Sequence, residues 1–234
     1  MTSTSCLGRV FLALTTSFFL LSPGNSFAQD SSLPPGSPLV SATITTNYTE
    51  MGLTQTQFSP AIQASLGYKW PQFSVGVWGS NVKFPTNQDT INFRPFIAYR
   101  FIITSAIDLT MQGAYSKYGP QGASDQNIFS MDFNIMTYRF LFEQVNNWEA
   151  TGDWTTRLGL MKDFELRSWL FLALGGGYVR PLDAHTYGDF LLSVGYKLSE
   201  MRFDFGMTTT TDTTQMNGRG APAMFIKFSV TPSN

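Results

Sequence analysis

From about residue 39 to its end, the chain places apolar side chains at every second position in runs of roughly ten residues. Ile107, Leu109, Met111 and Tyr115 alternate with Asp108, Thr110, Gln112 and Ser116. Phe129, Met131, Phe133 and Ile135 alternate with Ile128, Ser130, Asp132 and Asn134. Met201, Phe203, Phe205 and Met207 alternate with Arg202, Asp204, Gly206 and Thr208. Successive side chains of an extended strand point to opposite faces, so each run has one apolar and one polar face. Ten residues is also about the length a tilted strand needs to cross a hydrocarbon layer. A soluble β-sandwich alternates in the same way, and composition separates the two. Only 13% of residues are charged and 15% are aromatic, against about 25% charged in an ordinary soluble domain. After residue 28 no segment offers 18 consecutive apolar residues, so helices are not how this chain would cross a membrane. The expected fold is all-β, a transmembrane antiparallel up-and-down β-barrel.

The alternation and its interruptions predict twelve strands, near 40–50, 60–69, 73–82, 90–102, 106–117, 126–135, 138–147, 153–162, 168–179, 187–197, 201–211 and 222–230. Gaps after even-numbered strands are short, as at Trp70-Pro71-Gln72 and Met136-Thr137. Gaps after most odd-numbered strands are longer and polar, as from Met51 to Ser59, Lys83 to Asp89 and Asp212 to Ala221. Short periplasmic turns and long outer loops are the asymmetry of outer-membrane barrels, and an even strand count puts both ends in the periplasm. Twelve strands at ~4.8 Å spacing and ~40° tilt close at a radius of roughly 12 Å. A soluble barrel of that width would need a very large apolar interior; a membrane barrel turns its apolar face to lipid.

The start of the chain reads as an export signal. Arg9, the apolar run Val10 to Leu21, a Pro23-Gly24 break and Ser26-Phe27-Ala28 predict cleavage after residue 28. Residues 29–38 read as a flexible periplasmic lead and 39–234 as the barrel. The only cysteine, Cys6, leaves with the signal, which excludes a disulfide framework or a cysteine metal site. Charges are nearly balanced, with 15 basic and 16 acidic side chains, and nothing resembles a nucleic-acid-binding patch.

If the apolar parity faces lipid, the other parity faces inward. It carries Lys69, Arg94, Arg100, Asp108, Asp132, Arg139, Glu143, Arg157, Asp189, Lys197, Arg202, Asp204 and Lys227. A lysine or arginine on the lipid face costs about 2–4 kcal/mol at mid-bilayer, so these belong inside as candidate pore-lining residues. More than half are expected to pair across neighbouring strands, and the basic excess suggests a mild anion preference. Pro95, inside the fourth strand, cannot donate a ladder bond and predicts a bulge there, leaving Arg100 a weaker inward assignment. Tyr68, Trp70, Tyr99, Phe101, Tyr138, Trp169 and Tyr196 gather toward the turn side. Trp148, Trp154, Tyr178 and Tyr187 gather toward the loop side, together forming two expected headgroup girdles.

Catalytic patterns fail. His185 is the only histidine, in an expected loop near Asp183, and Ser193 on the following strand lies too deep in the wall to be its nucleophile. Gly175-Gly176-Gly177 lies within a strand with no helix behind it, so it is no phosphate cradle. The chain is read as no enzyme, with no cofactor and no metal.

Thr46 to Tyr68 and Gly76 to Val82 resemble the first third of the TorF-type porin family. The matching positions are Tyr48, Gly52, Thr54, Gln55, Thr56, Pro60, Ala61, Gln63, Gly76, Trp78, Gly79, Ser80 and Asn81; Met51 stands where the family usually has arginine. The resemblance implies an outer-membrane barrel with a channel role and no defined solute. The expected function is a monomeric porin-like channel for passive diffusion of small hydrophilic solutes. The alternative is a non-conducting structural or surface-binding barrel. Expected partners are outer-membrane lipid, lipopolysaccharide, and the barrel-assembly machinery reading the C-terminal strand through Phe228.

Overall fold

The computed structural model describes residues 36–182, 185–213 and 218–231. The expected signal and most of the expected lead lie outside the described residues. Fourteen strands appear in order: β1 (Ser37–Thr45), β2 (Thr49–Glu50), β3 (Leu53–Thr54), β4 (Ala61–Lys69), β5 (Phe73–Asn81), β6 (Ile91–Thr104), β7 (Ile107–Gly119), β8 (Gln126–Ile135), β9 (Tyr138–Asn146), β10 (Trp154–Arg167), β11 (Leu170–Pro181), β12 (Tyr187–Leu198), β13 (Met201–Thr210) and β14 (Ala223–Val230). Twelve close into one antiparallel barrel, and β2 pairs only with β3 as a separate two-stranded hairpin. Among the described residues no helix is long and apolar enough to cross a membrane. The first strand begins at Ser37, inside the expected lead, and ends at Thr45, five residues before its expected end.

The period-2 pattern becomes an inverted protein. On β13 the exposed residues are Met201, Phe203, Phe205 and Met207, while Asp204, Gly206 and Thr208 are buried. Ile44, Ile62, Leu66, Leu158, Phe190, Val194 and Ile226 are likewise exposed on the outer wall. A soluble sandwich would put these large side chains in its core; here they form the belt that meets lipid. Following the strand registers once around the ring returns to β1 roughly 16 residues further along. With twelve strands that stagger corresponds to a tilt of about 45° and a backbone radius of roughly 12 Å.

Every ring neighbour except one is also a sequence neighbour along the ring. The exception is the joint between β1 and β14, held by four register pairs from Ala42↔Val230 to Thr45↔Lys227, whereas β1 and β4 share nine.

Pro95 does not bulge its strand. The β6–β7 ladder runs from Phe93↔Lys117 to Phe96↔Ala114 in one register, omitting only the pairs at Arg94 and Pro95. Pro95 points outward, its missing N–H costs one local interruption, and parity is preserved. Arg100 therefore stays on the same face as Arg94. The register shifts fall at the turn ends, between Ile102 and Thr104 and between Glu165 and Arg167.

The turn-side girdle forms as ring pairs on the outer wall: Tyr68–Trp70 at 4.8 Å, Tyr99–Phe101 at 4.6 Å and Trp169–Tyr196 at 5.4 Å. Lys162 joins it with Nζ 3.9 Å from the Tyr138 ring centroid, a stem lying along the wall with its charge at headgroup level. The loop-side assignment needs correction. Trp154 and Tyr178 are exposed, but Trp148 and Tyr187 are buried inside the barrel mouth at 1% and 2% exposure.

Candidate functional site: the barrel interior

What buries Trp148 and Tyr187 is the first outer loop. The segment after β1, expected to continue as strand to residue 50 and then as an outer loop from Met51 to Ser59, instead turns into the barrel as the β2–β3 hairpin. Two consecutive left-handed residues, Met51 (φ 48°) and Gly52 (φ 77°), make its two-residue turn, the geometry matching a strand pair's twist. Asn47 stitches the stem: its Oδ1 accepts from Thr54 Oγ1 at 2.5 Å, and Gln55 N–H donates to the Tyr48 carbonyl at 2.7 Å. The tip carries Met51 and Leu53, 3% and 0% exposed, into an apolar cluster with Ile128, Val145, Trp148, Val179 and Tyr187. These come from β8, β9, the turn after β9, β11 and β12, so the hairpin crosses the bore to the far wall. A Cβ on Gly52 would sit 2.7 Å from Asp189 Cβ on β12 and 2.7 Å from Thr210 Cγ2 on β13, so glycine is required for space as well as for φ.

Polar bonds hold the hairpin's flanks. Arg94 Nη2 on β6 donates to both Glu50 carboxylate oxygens, at 2.8 and 3.0 Å, while its Nε donates to Ser116 Oγ at 2.6 Å. Arg94 also stacks over Trp78, 5.0 Å from the ring centroid. The Tyr48 hydroxyl donates to Glu50 Oε2 at 2.8 Å; burial, then the adjacent carboxylate, raises its pKa well above the usual tyrosine value. Arg219, from the β13–β14 loop, donates from Nε to the Thr54 carbonyl at 2.8 Å, and Thr54 N–H donates to the Arg219 carbonyl at 3.1 Å.

The next two outer loops fold over this assembly. Val82, Phe84 and Tyr118 form a second buried cluster with Tyr48 packed on it. Asp89 Oδ1 accepts from the N–H groups of Gln121 and Gly122, at 2.7 and 3.0 Å. Asp125 accepts from Lys117 Nζ at 2.7 Å, Tyr118 N–H at 2.7 Å and the Tyr115 hydroxyl at 3.0 Å. Burial pushes the Asp125 pKa up, but these three donors outweigh it and hold it below the ordinary carboxylate value.

Below the hairpin the interior opens. A cavity of about 620 Å³ lies among Tyr48, Glu50, Trp78, Arg94, Arg139, Asp163, Ser193, Arg202, Asp204, Phe225 and Lys227. A second, of about 440 Å³, lies toward the turn end and shares Arg202 and Ser229 with the first.

The inward set predicted from parity falls on the inner wall, mostly as ion pairs. Arg100 bonds Asp108 at 2.7 Å, and Asp108 also accepts from Asn134 Nδ2 at 2.9 Å. Arg139 bonds Asp132 at 2.6 Å and Arg202 bonds Asp204 at 2.8 Å. Arg157 lies between Glu143, at 3.9 Å, and Asp189, at 2.5 Å. The Arg157–Asp189 pair reaches over the intervening strand β11 at Gly177, where a Cβ would collide with both side chains. Close approach of the ion pair thus accounts for one of the three consecutive glycines. Among the described residues Lys69, Lys197 and Lys227 have no ion-pair partner. Sequence reasoning missed Glu50, which it placed at a strand end, and Asp163. His185 is exposed in the β11–β12 loop, whereas Ser193 is buried on the cavity wall. Among the described residues no cluster of three or more metal-ligating side chains occurs.

No family model matches the sequence, and no curated protein matches it. Solved structures do match in shape. The KdgM porin in complex with disordered oligogalacturonate superposes at TM-score 0.55 with 6% identity, covering 85% of this chain and 99% of that one. A structure from work on in-meso crystallization of membrane proteins gives 0.52 with 7% identity, covering 83% of each chain. OccD3 (OpdP) of Pseudomonas aeruginosa gives 0.43 with 11% identity, covering 87% of this chain and 67% of that one. At such identities the likeness to the first two establishes a shared barrel fold. The closed ring, the lipid-facing belt and that fold make this a bacterial outer-membrane β-barrel.

Proposed function

We propose that this barrel is a porin-type channel passing small hydrophilic solutes, with a bore narrowed by its own first outer loop. The observation that carries the reading is the cavity of about 620 Å³ beneath the hairpin, lined from ten of the twelve ring strands, seven of which supply charged or hydroxyl side chains. A polar, unfilled interior is stable only when wet, and a wet bore selects by width and lining charge without any chemical step. The paired charges on the inner wall serve as lining whose fields act on passing solutes. The porin fold shared with KdgM supports this reading, as does the resemblance of residues 46–68 and 76–82 to the TorF-type family. Lipid and lipopolysaccharide surround a monomer, and the assembly machinery reads β14, where Phe228 packs on Phe203 at 4.7 Å.

A second reading has its own observation. The hairpin tip is buried in the far wall, so the outer half of the bore is filled in this conformation. A barrel permanently shut there would be a non-conducting surface protein. Single-channel recording in planar bilayers separates the two. The channel reading expects small, discrete conductance steps; silence across salts and voltages, in the natural protein and in a hairpin-released variant alike, leaves the non-conducting barrel.

A further inference from the structure

Three cations climb one side of the interior from the turn end to the hairpin. Lys197 on β12 is the direct cross-strand partner of Arg202 on β13, and Arg202 is that of Ser229 on β14. Lys227 lies two residues further up β14 on the same face. Lys197, Arg202 and Ser229 line the lower cavity, with Glu200 at its rim; Arg202, Ser229 and Lys227 line the upper one. The carboxylate nearest in register to Lys227 is Asp204, directly across the ladder. Asp204 is already committed: its oxygens accept from Arg202 Nε at 2.8 and 3.0 Å, and its side chain is only 7% exposed. Lys227 therefore presents its ammonium to the cavity unneutralised, beside the hydroxyls of Ser229 and Thr45.

The other lining charges do not cancel it. Glu50 is engaged by Arg94, and Arg139 bonds Asp132 near Asp163. Asp163 is on β10, four strands round the ring from β14. On a barrel of roughly 12 Å radius that separates the two backbones by about 20 Å. The interior thus has a basic, hydroxyl-bearing wall on β12–β14 and a mildly acidic wall on β8–β10.

We propose that the β12–β14 wall is a site for the anionic group of small solutes, a carboxylate or phosphate, with Lys227 as its anchor and Lys197 and Arg202 as the approach from the periplasmic end. This deepens the channel reading and rests on it for transport, but not for binding.

The test uses Ser229→Cys in the full barrel, which contains no other cysteine once residues 1–28 are removed. Reaction rates of a negatively and a positively charged methanethiosulfonate reagent, each normalised to its rate on a free thiol, are measured with Lys227 present or replaced by Gln. The negative reagent is expected to be favoured about fivefold, the order expected of one partly screened charge nearby. That preference is expected to collapse in Lys227→Gln and to survive in Lys227→Arg, which also controls for misfolding. Equal rates with Lys227 present, a preference for the positive reagent, or no reaction with either reagent overturns the proposal. A barrel electrically silent but retaining the ratio fails as a channel while the site stands; a conducting barrel without the ratio loses the site alone.

Discussion

Leu53 is the residue on which the state of the bore turns most sharply. It is fully buried at the hairpin tip, where it helps close the apolar cluster with Trp148 and Val179. Burying a leucine contributes about 1.5–3 kcal/mol, and placing an unpaired carboxylate in the same pocket costs several kcal/mol more. Leu53→Asp is therefore expected to shift hairpin docking by about 5 kcal/mol, more than a thousandfold in the ratio of docked to undocked states. The wall should be untouched. The hairpin contributes no strand to the ring, whose ladders are complete without it. Heat-modifiable migration on gels should therefore be unchanged, while single-channel conductance rises several-fold and its closed events shorten. A variant that stays folded and conducts as the natural protein does would refute the assignment of the hairpin as the narrowing element.

Arg94→Ala leaves Glu50 without its cation inside the bore. Breaking such a pair costs about 3–5 kcal/mol, so recordings should show the same direction of change as Leu53→Asp. Gly52→Ala puts a Cβ against Asp189 and Thr210 at a left-handed position, and increased protease access to residues 46–60 would report the displaced hairpin. At the outer clasp, the Asp125 pKa lies below its unfolded value, so its contribution is present above about pH 3.9 and is lost as pH falls through the lower folded value. Amide exchange at Tyr118, whose N–H donates to Asp125 Oδ1, should differ between natural protein and Asp125→Asn at pH 7 and converge in stronger acid. On the lipid face, Phe205→Lys should weaken the barrel by about 2–4 kcal/mol in urea titrations in lipid, whereas Gln63→Lys, facing the cavity, should cost much less.

The ring was legible because lipid imposes a two-residue period over ten-residue spans, and that signal repeats twelve times. Parity alone placed Arg157, Asp189, Arg202, Asp204 and Lys227 on the inner face. The hairpin was not legible, because β2 and β3 are two residues each and no period can be read from so short a run. The available signal was chemical: Met51 and Leu53 flank a glycine in a segment expected to face water, and both are apolar. Trp148 and Tyr187 were misplaced for a related reason. Closeness to a strand end fixes a ring's height but not its side, although Tyr187 shares the parity of Asp189 and could have been assigned inward on that ground. Pro95 misled because a missing donor does not by itself demand an extra residue.

The joint between β1 and β14 sets the ring's weak point. All other strand pairs are made between neighbours in the chain or across one loop, so they zip locally. This one brings together residues such as Thr43 and Ser229, separated by nearly the whole barrel, and it must form last because loop closure becomes costlier with chain length. The first outer loop starts beside that joint and enters the bore over the rim, so its docking does not depend on the ring being open. A tear under mechanical or thermal load would begin at these four pairs. Whatever helps the chain into the membrane has to shield the free edges of its first and last strands until the strands between them are paired.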